Sequence, residues 1–383
     1  MTNKICVYAI CKNEIQFVDK WLDNMAEADY IVVLDTGSTD GTFEKLKADK
    51  RVYKVEQKEI KPWRFDVARN ESMKLVPEDA NILLCTDFDE LMSPEKGWAK
   101  LIKDNWREDT TRGYYMYAWS HTSTGAPSDV FVYNKLHTKD YKWIYPVHEV
   151  IVPDEDKIKE EHIIDFGTSL YLHHWQDLSK PRKYYFDLLK LSVQENPTNC
   201  HVRLLFAREY LLNKQYDEAL QEYLGVLNMK EIDNPENRLI LLEALGRAAD
   251  IYVIKKNFDE GIWYCQEFIK EDPTYREPYL LLAEMYSQMK MFTLAEAMIT
   301  TMLKYTTRKY NWVERKYSWF ALHNDLLSTI YYNLGQLDLA IANCQEALKQ
   351  DPNNVELLQR LNAFLNVKIN NLSKKGADQP EKK

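Results

Sequence analysis

The residues best suited to chemistry in this chain are Asp87 and Asp89, which stand two positions apart at the end of the apolar run 82–84. That run predicts a buried strand, and residues two apart at a strand end point to the same side. Carboxylates held so close repel each other, and a divalent cation with oxygen ligands removes the repulsion. The pair therefore indicates a metal site that binds an anionic group such as a diphosphate.

Two earlier apolar runs, 4–10 and 30–34, predict further strands. Each run leads into a helix-compatible segment, 15–27 after the first and 42–49 after the second. Alternation of strand, helix and strand is typical of a parallel α/β sheet. We therefore expect such a sheet in the first part of the chain.

Polar residues follow each predicted strand. Asn13 follows the first, Asp35 the second, and Asp87 and Asp89 the third. Parallel α/β sheets bind their ligands at the carboxyl ends of the strands. The loop 35–42 supplies glycines, hydroxyls and backbone amides. Its composition suits a helix cap as well as a nucleotide site, and the residues alone leave both interpretations open.

Several stretches, taken in order, resemble the family-2 glycosyltransferases of the GT-A fold. Residues 143–149 and 172–175 resemble motifs of a bacterial and phage subgroup that carries tetratricopeptide repeats. The resemblance covers roughly residues 3–180. The similar stretches are Asn13-Glu14, residues 31–42, residues 63–70 with Phe-x-x-Ala-Arg-Asn, Asp87-Phe88-Asp89, residues 143–149 and residues 172–175.

The resemblance implies a role for individual residues. Asp35 is expected to bind the nucleotide base, usually uracil. Asp87 is expected to bind the ribose or assist the metal, and Asp89 to bind the cation that bridges the diphosphate. Arg69 is expected to face the diphosphate or base, since a guanidinium suits either partner. Glu149 is expected to be the catalytic base.

The same resemblance implies a third metal ligand from the pair His173 and His174. Adjacent residues of a strand point to opposite faces, so we expect one ligand and choose His173. For His148, which lies in the stretch 143–149, the alternative to a functional role is a position in the core. For Glu149 the alternative is a carboxylate on the surface. Asp177 is the next candidate for the base. The expected donor-binding residues are Ala9, Asn13, Glu14, Asp35, Ser38, Asp66, Arg69, Asp87 and Phe88.

The implied reaction moves a sugar from a nucleotide donor, most simply a UDP-sugar, to an acceptor, with inversion by single displacement. Such a reaction needs the charge on the departing phosphates neutralised, which Mn²⁺ or Mg²⁺ can do. The acceptor hydroxyl or thiol needs a base on the opposite face, which a carboxylate supplies. The sugar, the acceptor and the linkage cannot be read from these motifs.

Composition argues against several other classes of protein. The 383 residues carry a net charge of −9 with acidic and basic residues mixed, which argues against a nucleic-acid binder. The 6 cysteines are scattered without a Cys-x-x-Cys pair, so we expect neither structural zinc nor disulfides, and a reducing cytoplasm. The early first strand predicts no signal peptide, and the lack of an 18-residue apolar run predicts no transmembrane helix.

From about residue 182 the pattern is helical and repeats. Four sets share the offsets +3, +9 and +12, with small residues at the first and last positions and mostly aromatic ones between. This pattern resembles the tetratricopeptide repeat, a helix–turn–helix unit of about 34 residues. The sets are Ala207, Tyr210, Tyr216 and Ala219; Ala249, Tyr252, Phe258 and Gly261; Ala283, Tyr286, Phe292 and Ala295; and Ser328, Tyr331, Leu337 and Ala340.

We therefore predict an α/β catalytic domain over 1–180, an all-α repeat domain over 181–372, and a disordered polar tail over 373–383. The repeats are expected to hold a peptide or protein acceptor, or else to serve packing or homodimerisation. The aromatic and basic stretch 305–320 fits a recognition surface, and it fits internal packing equally well.

Two other functions compete with glycosyl transfer. The first is a non-catalytic adaptor, in which the repeats bind a partner and the α/β domain is degenerate. The second is a nucleotidyltransferase, which shares a carboxylate pair and a nucleotide-binding sheet. That class would usually carry a Gly-rich loop near its first strand, and residues 9–16 lack one.

Overall fold

The computed structural model describes residues 2–122, 124–177, 184–315, 318–319 and 322–377. The chain forms two compact units, Met1–Pro197 and Thr198–Lys383. The domain boundary predicted at 180/181 lies outside the described residues, and the helix at Tyr185–Glu195 groups with the first unit. Each unit is described below by itself.

The first unit is a mixed α/β structure built on one large sheet. In chain order its elements are β1 Ile5–Cys11, α1 Val18–Met25, β2 Tyr30–Asp35, α2 Thr42–Ala48, β3 Lys54–Gln57, α3 Phe65–Met73, β4 Ile82–Cys85, β5 Glu90–Ser93, α4 Trp98–Asn105, β6 Arg112–Ala118, β7 Val130–His137, β8 Tyr141–Ile144, β9 Val150–Pro153, β10 Ile163–Asp165, β11 Tyr171–His174 and α5 Tyr185–Glu195.

The predicted parallel strands form one side of this sheet. The strand order is β3-β2-β1-β4-β7-β6-β11-β5, with β10 paired to β6, and β1, β2, β3 and β4 run parallel. Cys11 pairs with Asp35, and Tyr8 pairs with Cys85. The ends of β1, β2 and β4 therefore lie at one edge, which confirms the parallel α/β arrangement. The antiparallel strands beyond β4 make the whole sheet mixed.

Both faces of the central strands are buried. Alternate residues of β1 point to opposite faces, so Val7 and Ala9 join a core that includes Trp21 of α1. Tyr8 belongs to the core on the other face, where Trp143 donates to its hydroxyl at 2.8 Å. Helices and loops thus cover the sheet on each side and hold its carboxyl edge in place.

The second unit is helical and consists of successive helix pairs. Its helices in chain order are α6 Cys200–Leu212, α7 Tyr216–Leu227, α8 Arg238–Lys255, α9 Phe258–Glu271, α10 Glu277–Gln288, α11 Phe292–Met302, α12 Leu322–Asn333, α13 Leu337–Gln350 and α14 Val355–Ala377.

Each predicted repeat set spans one helix pair, α6/α7, α8/α9, α10/α11 or α12/α13. The small residues lie where the two helices of a pair meet. At Gly261 of α9, an added Cβ would lie 3.4 Å from Tyr252 Cβ of the paired helix α8 and 2.7 Å from Met285 Sδ of the next helix, α10, so this position has little room for a side chain. The buried small residues are Ala207, Ala219, Ala249, Gly261, Ala283, Ala295, Ser328 and Ala340.

The four turns between paired helices share one backbone conformation. A residue seven positions after the first small residue has positive φ: Lys214 at 59°, Lys256 at 58°, Lys290 at 62° and Gly335 at 74°. The amide that follows it donates to a carbonyl of the first helix at 2.8–3.0 Å. This left-handed helix ending recurs at equivalent positions and supports the repeat assignment independently of the side chains.

Helix α14 extends through residue 377, so 373–377 of the predicted disordered tail is helical, and 378–383 lies outside the described residues. Among the residues that the structure describes, no helix is long and apolar enough to cross a membrane.

Candidate functional site

Asp35 ends β2 and is fully buried. Its Oδ1 accepts hydrogen bonds from the amides of Gly37 and Ser38, both at 2.8 Å, and from Gln57 Nε2 at 3.0 Å. Burial alone raises the pKa of this carboxyl, but the hydrogen bonds from Ser38, Gln57 and Gly37 lower it more, so the net pKa lies below its ordinary value. Asp35 is therefore an ionised acceptor that also shapes the loop after β2.

Asn13 ties the end of β1 to the same loop. Its backbone is left-handed, with φ of 59°. Its amide donates to Ser38 Oγ and its Oδ1 accepts from the amide of Thr39, both at 2.8 Å. The amide of Glu14 donates to Thr42 Oγ1 at 2.9 Å. The structure thus brings Asn13, Ser38 and Asp35 together, as expected for one site, through contacts that build the loop itself.

Arg69 of α3 lies at the centre of a buried charge cluster. Its Nε donates to Glu149 Oε1 at 2.5 Å, and its Nη2 donates to both oxygens of Asp87 at 3.0 and 3.1 Å. Its guanidinium also lies 5.1 Å from the ring centre of Trp143. Burial lowers the pKa of Arg69, but Asp87, Cys85 and Glu149 raise it more, so the guanidinium stays charged.

Lys135 of β7 is a member of this cluster that sequence reasoning missed. Its Nζ lies 3.4 Å from Glu90 and 3.7 Å from Asp87, and 5.1 Å from the ring centre of Tyr133. Burial lowers the pKa of Lys135, but Glu90 raises it more. A single lysine in a strand resembles a solvent-facing residue in sequence, so no local signal identifies it. Asp87 therefore has two cations beside it, although its side chain is 35% exposed.

Asp89 has a histidine partner, but it is not the one predicted. His174 Nε2 lies 3.5 Å from Asp89 Oδ2, whereas His173 Nδ1 lies 2.9 Å from His121 Nε2. Burial lowers the pKa of His174, and Asp89 raises it more, so the net shift is upward. His174, and not His173, therefore lies beside Asp89, and the choice of His173 as a metal ligand stays an untested prediction that this geometry does not favour. The reason is register: in β11, His174 pairs with Glu90 of β5, next to Asp89.

Three of the expected donor-binding side chains serve other contacts. Ala9 is fully buried in the core, and Phe88 is buried with its ring stacked 4.3 Å from that of Trp21. Asp66 forms an ion pair with Arg64 at 2.9 Å. The side chains of Ala9 and Phe88 therefore pack the fold, which leaves only their backbone for a ligand contact.

His148 and Asp177, the other two residues considered for the site, lie in loops. His148 has a left-handed backbone with φ of 48°, and its ring centre lies 5.8 Å from that of Tyr185. Asp177 Oδ2 accepts from Gln16 Nε2 at 3.1 Å. Only Glu149 of the proposed bases belongs to the Arg69 cluster.

Exposed aromatic rings lie beside the Asp89–His174 pair. The ring centre of Trp119 lies 4.6 Å from that of His174, and Trp175 stacks on His121 at 4.0 Å. The amide of Trp175 donates to the Asp89 carbonyl at 2.7 Å, which fixes its position. Both tryptophans are about two-fifths exposed, at 38% and 41%. The site thus combines a carboxylate, a histidine and flat apolar faces.

The described residues contain no group of three or more His, Cys, Asp or Glu side chains arranged to hold a metal ion. Asp89 and His174 offer one oxygen and one nitrogen donor close together. In addition, His174 Nδ1 is buried and makes no hydrogen bond in the described structure. These two side chains fit a cation only if bound oxygens of another molecule complete its coordination.

Comparison with known proteins identifies one region. Residues 325–354 match a family model described as tetratricopeptide repeat, and this stretch falls in the α12/α13 pair. This match confirms one of the four predicted repeats. No curated protein matches the chain.

Solved structures of tetratricopeptide-repeat proteins resemble part of the chain. A thermophilic repeat protein from Thermus thermophilus is 19% identical and covers 47% of this chain and 88% of its own, with a TM-score of 0.35. MamA from Desulfovibrio magneticus is 15% identical and covers 46% of this chain and 89% of its own, with a TM-score of 0.37. YrrB is 15% identical and covers 48% and 84%, with a TM-score of 0.36.

Proposed function

We propose that the first unit is a metal-dependent glycosyltransferase of GT-A type that uses a nucleotide-sugar donor. One observation carries the proposal. Asp87 and Asp89 follow β4, at the edge where the parallel strands end; Arg69 and Lys135 lie beside Asp87, and His174 lies beside Asp89. A polyphosphate requires a cation, and this edge offers two donors for one, Asp89 and His174, beside an Asp87 that Arg69 and Lys135 hold in place.

Asp35 and Asn13 recognise the nucleotide part of the donor. Asp35 is buried and ionised, and a carboxylate that accepts hydrogen bonds suits the N–H of a uracil ring. UDP-sugars are therefore the first donors to test. The hydroxyls of Ser38 and Thr39 lie beside Asn13, which suits contacts to the ribose.

Asp89 and His174 would hold Mn²⁺ or Mg²⁺, with oxygens of the diphosphate completing the coordination. When bound, the cation neutralises charge on the leaving nucleoside diphosphate. Asp89 supplies the anionic oxygen, and His174 accepts the metal only as neutral imidazole. Arg69 and Lys135 hold Asp87 in a fixed position, so that it can accept from the ribose without moving.

Glu149 is the proposed base that takes the proton of the acceptor nucleophile during inverting displacement. Its side chain is 11% exposed and paired with Arg69. This pairing keeps the carboxylate oriented and occupies its Oε1 with the Arg69 Nε–H. The acceptor proton therefore reaches Glu149 in one of two ways. Either the Arg69 contact shifts when the donor binds, or the proton goes to the second carboxylate oxygen, Oε2.

The repeat unit recruits or orients a peptide or protein acceptor, or it joins two copies of the chain. Tetratricopeptide arrays are interaction modules, and their helices carry no reaction of their own. A non-catalytic adaptor is the competing proposal, because the one confirmed tetratricopeptide repeat is compatible with it.

A donor screen separates these functions. Calorimetric titrations with UDP, GDP and their sugars, with and without Mn²⁺, are expected to show metal-dependent binding of a uridine nucleotide. A hydrolysis assay on the same panel identifies the sugar. Asp89→Asn should abolish both signals, and Asp109→Asn provides a matched carboxylate-to-amide control, because Asp109 also lies beside a histidine, His162, at 3.3 Å. If no nucleotide binds at any metal concentration while the repeats retain their fold, the adaptor function replaces the enzyme.

A further inference from the structure

The aromatic and basic stretch 305–320 packs inside the second unit. Val313 is 3% exposed, and Arg315 is buried and donates from its amide to Glu277 of α10 at 2.8 Å. Of the two interpretations of this stretch, its described part therefore shows internal packing. The members of the stretch that lie outside the described residues are Lys316, Tyr317 and Phe320.

Helix α14 follows the fourth helix pair and belongs to none of the four repeat sets. One side of it packs on α13, where Leu357, Leu361 and Phe364 join the core of that pair. Lys368 pairs at 2.7 Å with Asp338, the second residue of α13. Because the two helices run in opposite directions, residues 369–377 continue past the start of α13.

The other side of α14 carries a stripe of exposed apolar side chains. Val355, Ile369 and Leu372 are 63%, 59% and 62% exposed, and Leu358 and Leu365 are 43% and 36% exposed. The stripe extends over about 27 Å of helix, since each residue of a helix adds about 1.5 Å. A contiguous apolar surface of this kind marks an interaction site.

The far end of α14 needs such an interaction most. Helices are stabilised in proteins mainly by packing of their apolar face, and a short helix without that packing is marginal in water. Ile369 and Leu372 lie in the part of α14 that has passed the start of α13, and both are more than half exposed. A helix laid along the stripe would supply the packing.

The spacing of the stripe is that of a two-stranded coiled coil. Its positions alternate in steps of three and four residues, which makes them positions a and d of three successive heptads. Branched Val or Ile at a, combined with Leu at d, favours two parallel strands. The a positions hold Val355, Asn362 and Ile369, and the d positions hold Leu358, Leu365 and Leu372.

Asn362 selects both the partner and its direction. It is the one polar residue among these six positions, and it is exposed. In a parallel pair in register, Asn362 faces Asn362 of a second copy, and the two amides satisfy each other. In an antiparallel pair, position a faces position d, so the amide would be buried against a leucine at a cost in free energy.

The flanking positions allow two copies to approach. The e positions Gln359, Asn366 and Ser373 are uncharged and exposed, and the g position of the middle heptad is Lys368. Position g of one strand faces position e of the next heptad in a parallel pair. Lys368 therefore lies opposite Ser373 of a second copy rather than opposite another lysine.

We propose that α14 joins two copies of this chain in a parallel two-stranded coiled coil over residues 355–372. The proposal rests on the joining role proposed above for the repeat unit, and it gives that role a surface, a partner and a direction. It does not depend on glycosyl transfer. Because its test uses no nucleotide sugar, its outcome is separate from that of the donor screen.

Sedimentation equilibrium of the full chain tests the association. The wild type should approach about 91 kDa, twice the chain mass of 45.4 kDa, as its concentration rises to about 100 µM. Leu358→Glu with Leu365→Glu sets like charges opposite each other at two d positions and should raise the dissociation constant at least about tenfold. The matched control is Leu294→Glu with Leu339→Glu, exposed leucines of α11 and α13, which should associate as the wild type does.

All four leucines are exposed, so both variants should keep the circular dichroism spectrum of the wild type. A wild type that stays at the monomer mass overturns the proposal. So does an α14 variant that remains a dimer, or a control that dissociates to the same extent.

Cysteine cross-linking tests the direction. The 6 native cysteines are all buried, so a cysteine on the stripe reacts selectively. Leu372→Cys should give a disulfide-linked dimer on mild oxidation, because position 372 faces itself in the parallel pair. Linkage only between Leu372→Cys and Val355→Cys chains would show an antiparallel pair and overturn the proposal. Asn362→Leu should tighten association and allow larger assemblies, and unchanged association would contradict the role of Asn362.

Discussion

Arg69 Nε lies 2.5 Å from Glu149 Oε1, so the proposed catalytic base is held by the same guanidinium that holds Asp87. The two carboxylates come from residues 62 positions apart, one after β4 and one before β9. A single buried cation therefore links the carboxylate proposed to bind the donor to the carboxylate proposed as the base.

This coupling gives the first prediction. Glu149→Gln preserves the shape and one hydrogen-bond acceptor for Arg69 but loses the charge. If Glu149 is the base, transfer should fall by about 10²–10⁴-fold, with the donor dissociation constant nearly unchanged. Single-turnover kinetics and calorimetry measure the two quantities. A variant that binds donor poorly but transfers normally at saturation would make Glu149 a partner of Arg69 only, with Asp177 as the next candidate for the base.

The second prediction separates the adjacent histidines. His174→Ala should weaken the Mn²⁺-dependent part of nucleoside diphosphate binding, because His174 lies beside Asp89. His173→Ala is the matched control, since its side chain contacts His121 instead. Titrations with UDP at several Mn²⁺ concentrations report the effect. Equal losses in both variants, or loss in His173→Ala alone, would contradict the assignment.

Asp35 gives the third prediction. Asp35→Ala should weaken nucleoside diphosphate binding by roughly 10- to 150-fold, the equivalent of about 1.5–3 kcal/mol for a charge-assisted hydrogen bond. It should also lower the melting temperature, because the carboxylate accepts from Gly37, Ser38 and Gln57. Gln57→Ala controls for the loop effect. Lower stability with an unchanged dissociation constant would show that Asp35 only shapes the loop.

His137 gives a pH dependence. This ring is fully buried between the Tyr8 hydroxyl and the Thr138 carbonyl, and burial lowers its pKa from 6.5 to about 4. Because the folded pKa lies below the unfolded one, the stabilisation is complete above pH 6.5 and is lost as the pH falls towards 4. At pH 5 the loss is about 2 kcal/mol. Urea unfolding at pH 7.5 and 5 should show this loss in the wild type and less of it in His137→Gln.

The left-handed turns give the last prediction. Lys214, Lys256 and Lys290 hold positive φ at positions where the fourth repeat has Gly335. Replacing any of these lysines with glycine should stabilise the second unit by about 0.5–1 kcal/mol, because glycine adopts this conformation without steric cost. Gly335→Ala should destabilise it by a similar amount. Thermal melting of each single variant tests the sign, and a stabilised Gly335→Ala would contradict the explanation.

Local sequence patterns predicted much of the fold. Apolar runs followed by polar residues identified β1, β2 and β4, and the offsets between small and aromatic residues identified the four helix pairs. These features depend on neighbours within a few residues, or on a periodicity that one helix pair repeats. The same patterns located Asp35, Asp87 and Asp89 at strand ends, since a strand that is buried must stop where its polar residues begin.

Only the tertiary structure decided how distant residues meet. Strand register placed His174 rather than His173 beside Asp89, and a shift of one residue would have reversed the choice. The packing of α3 brought Arg69 to Glu149, and the antiparallel strand β7 brought Lys135 to Asp87. No local sequence pattern determines these distances. They are set only when segments from distant parts of the chain pack together and bury both faces of the sheet.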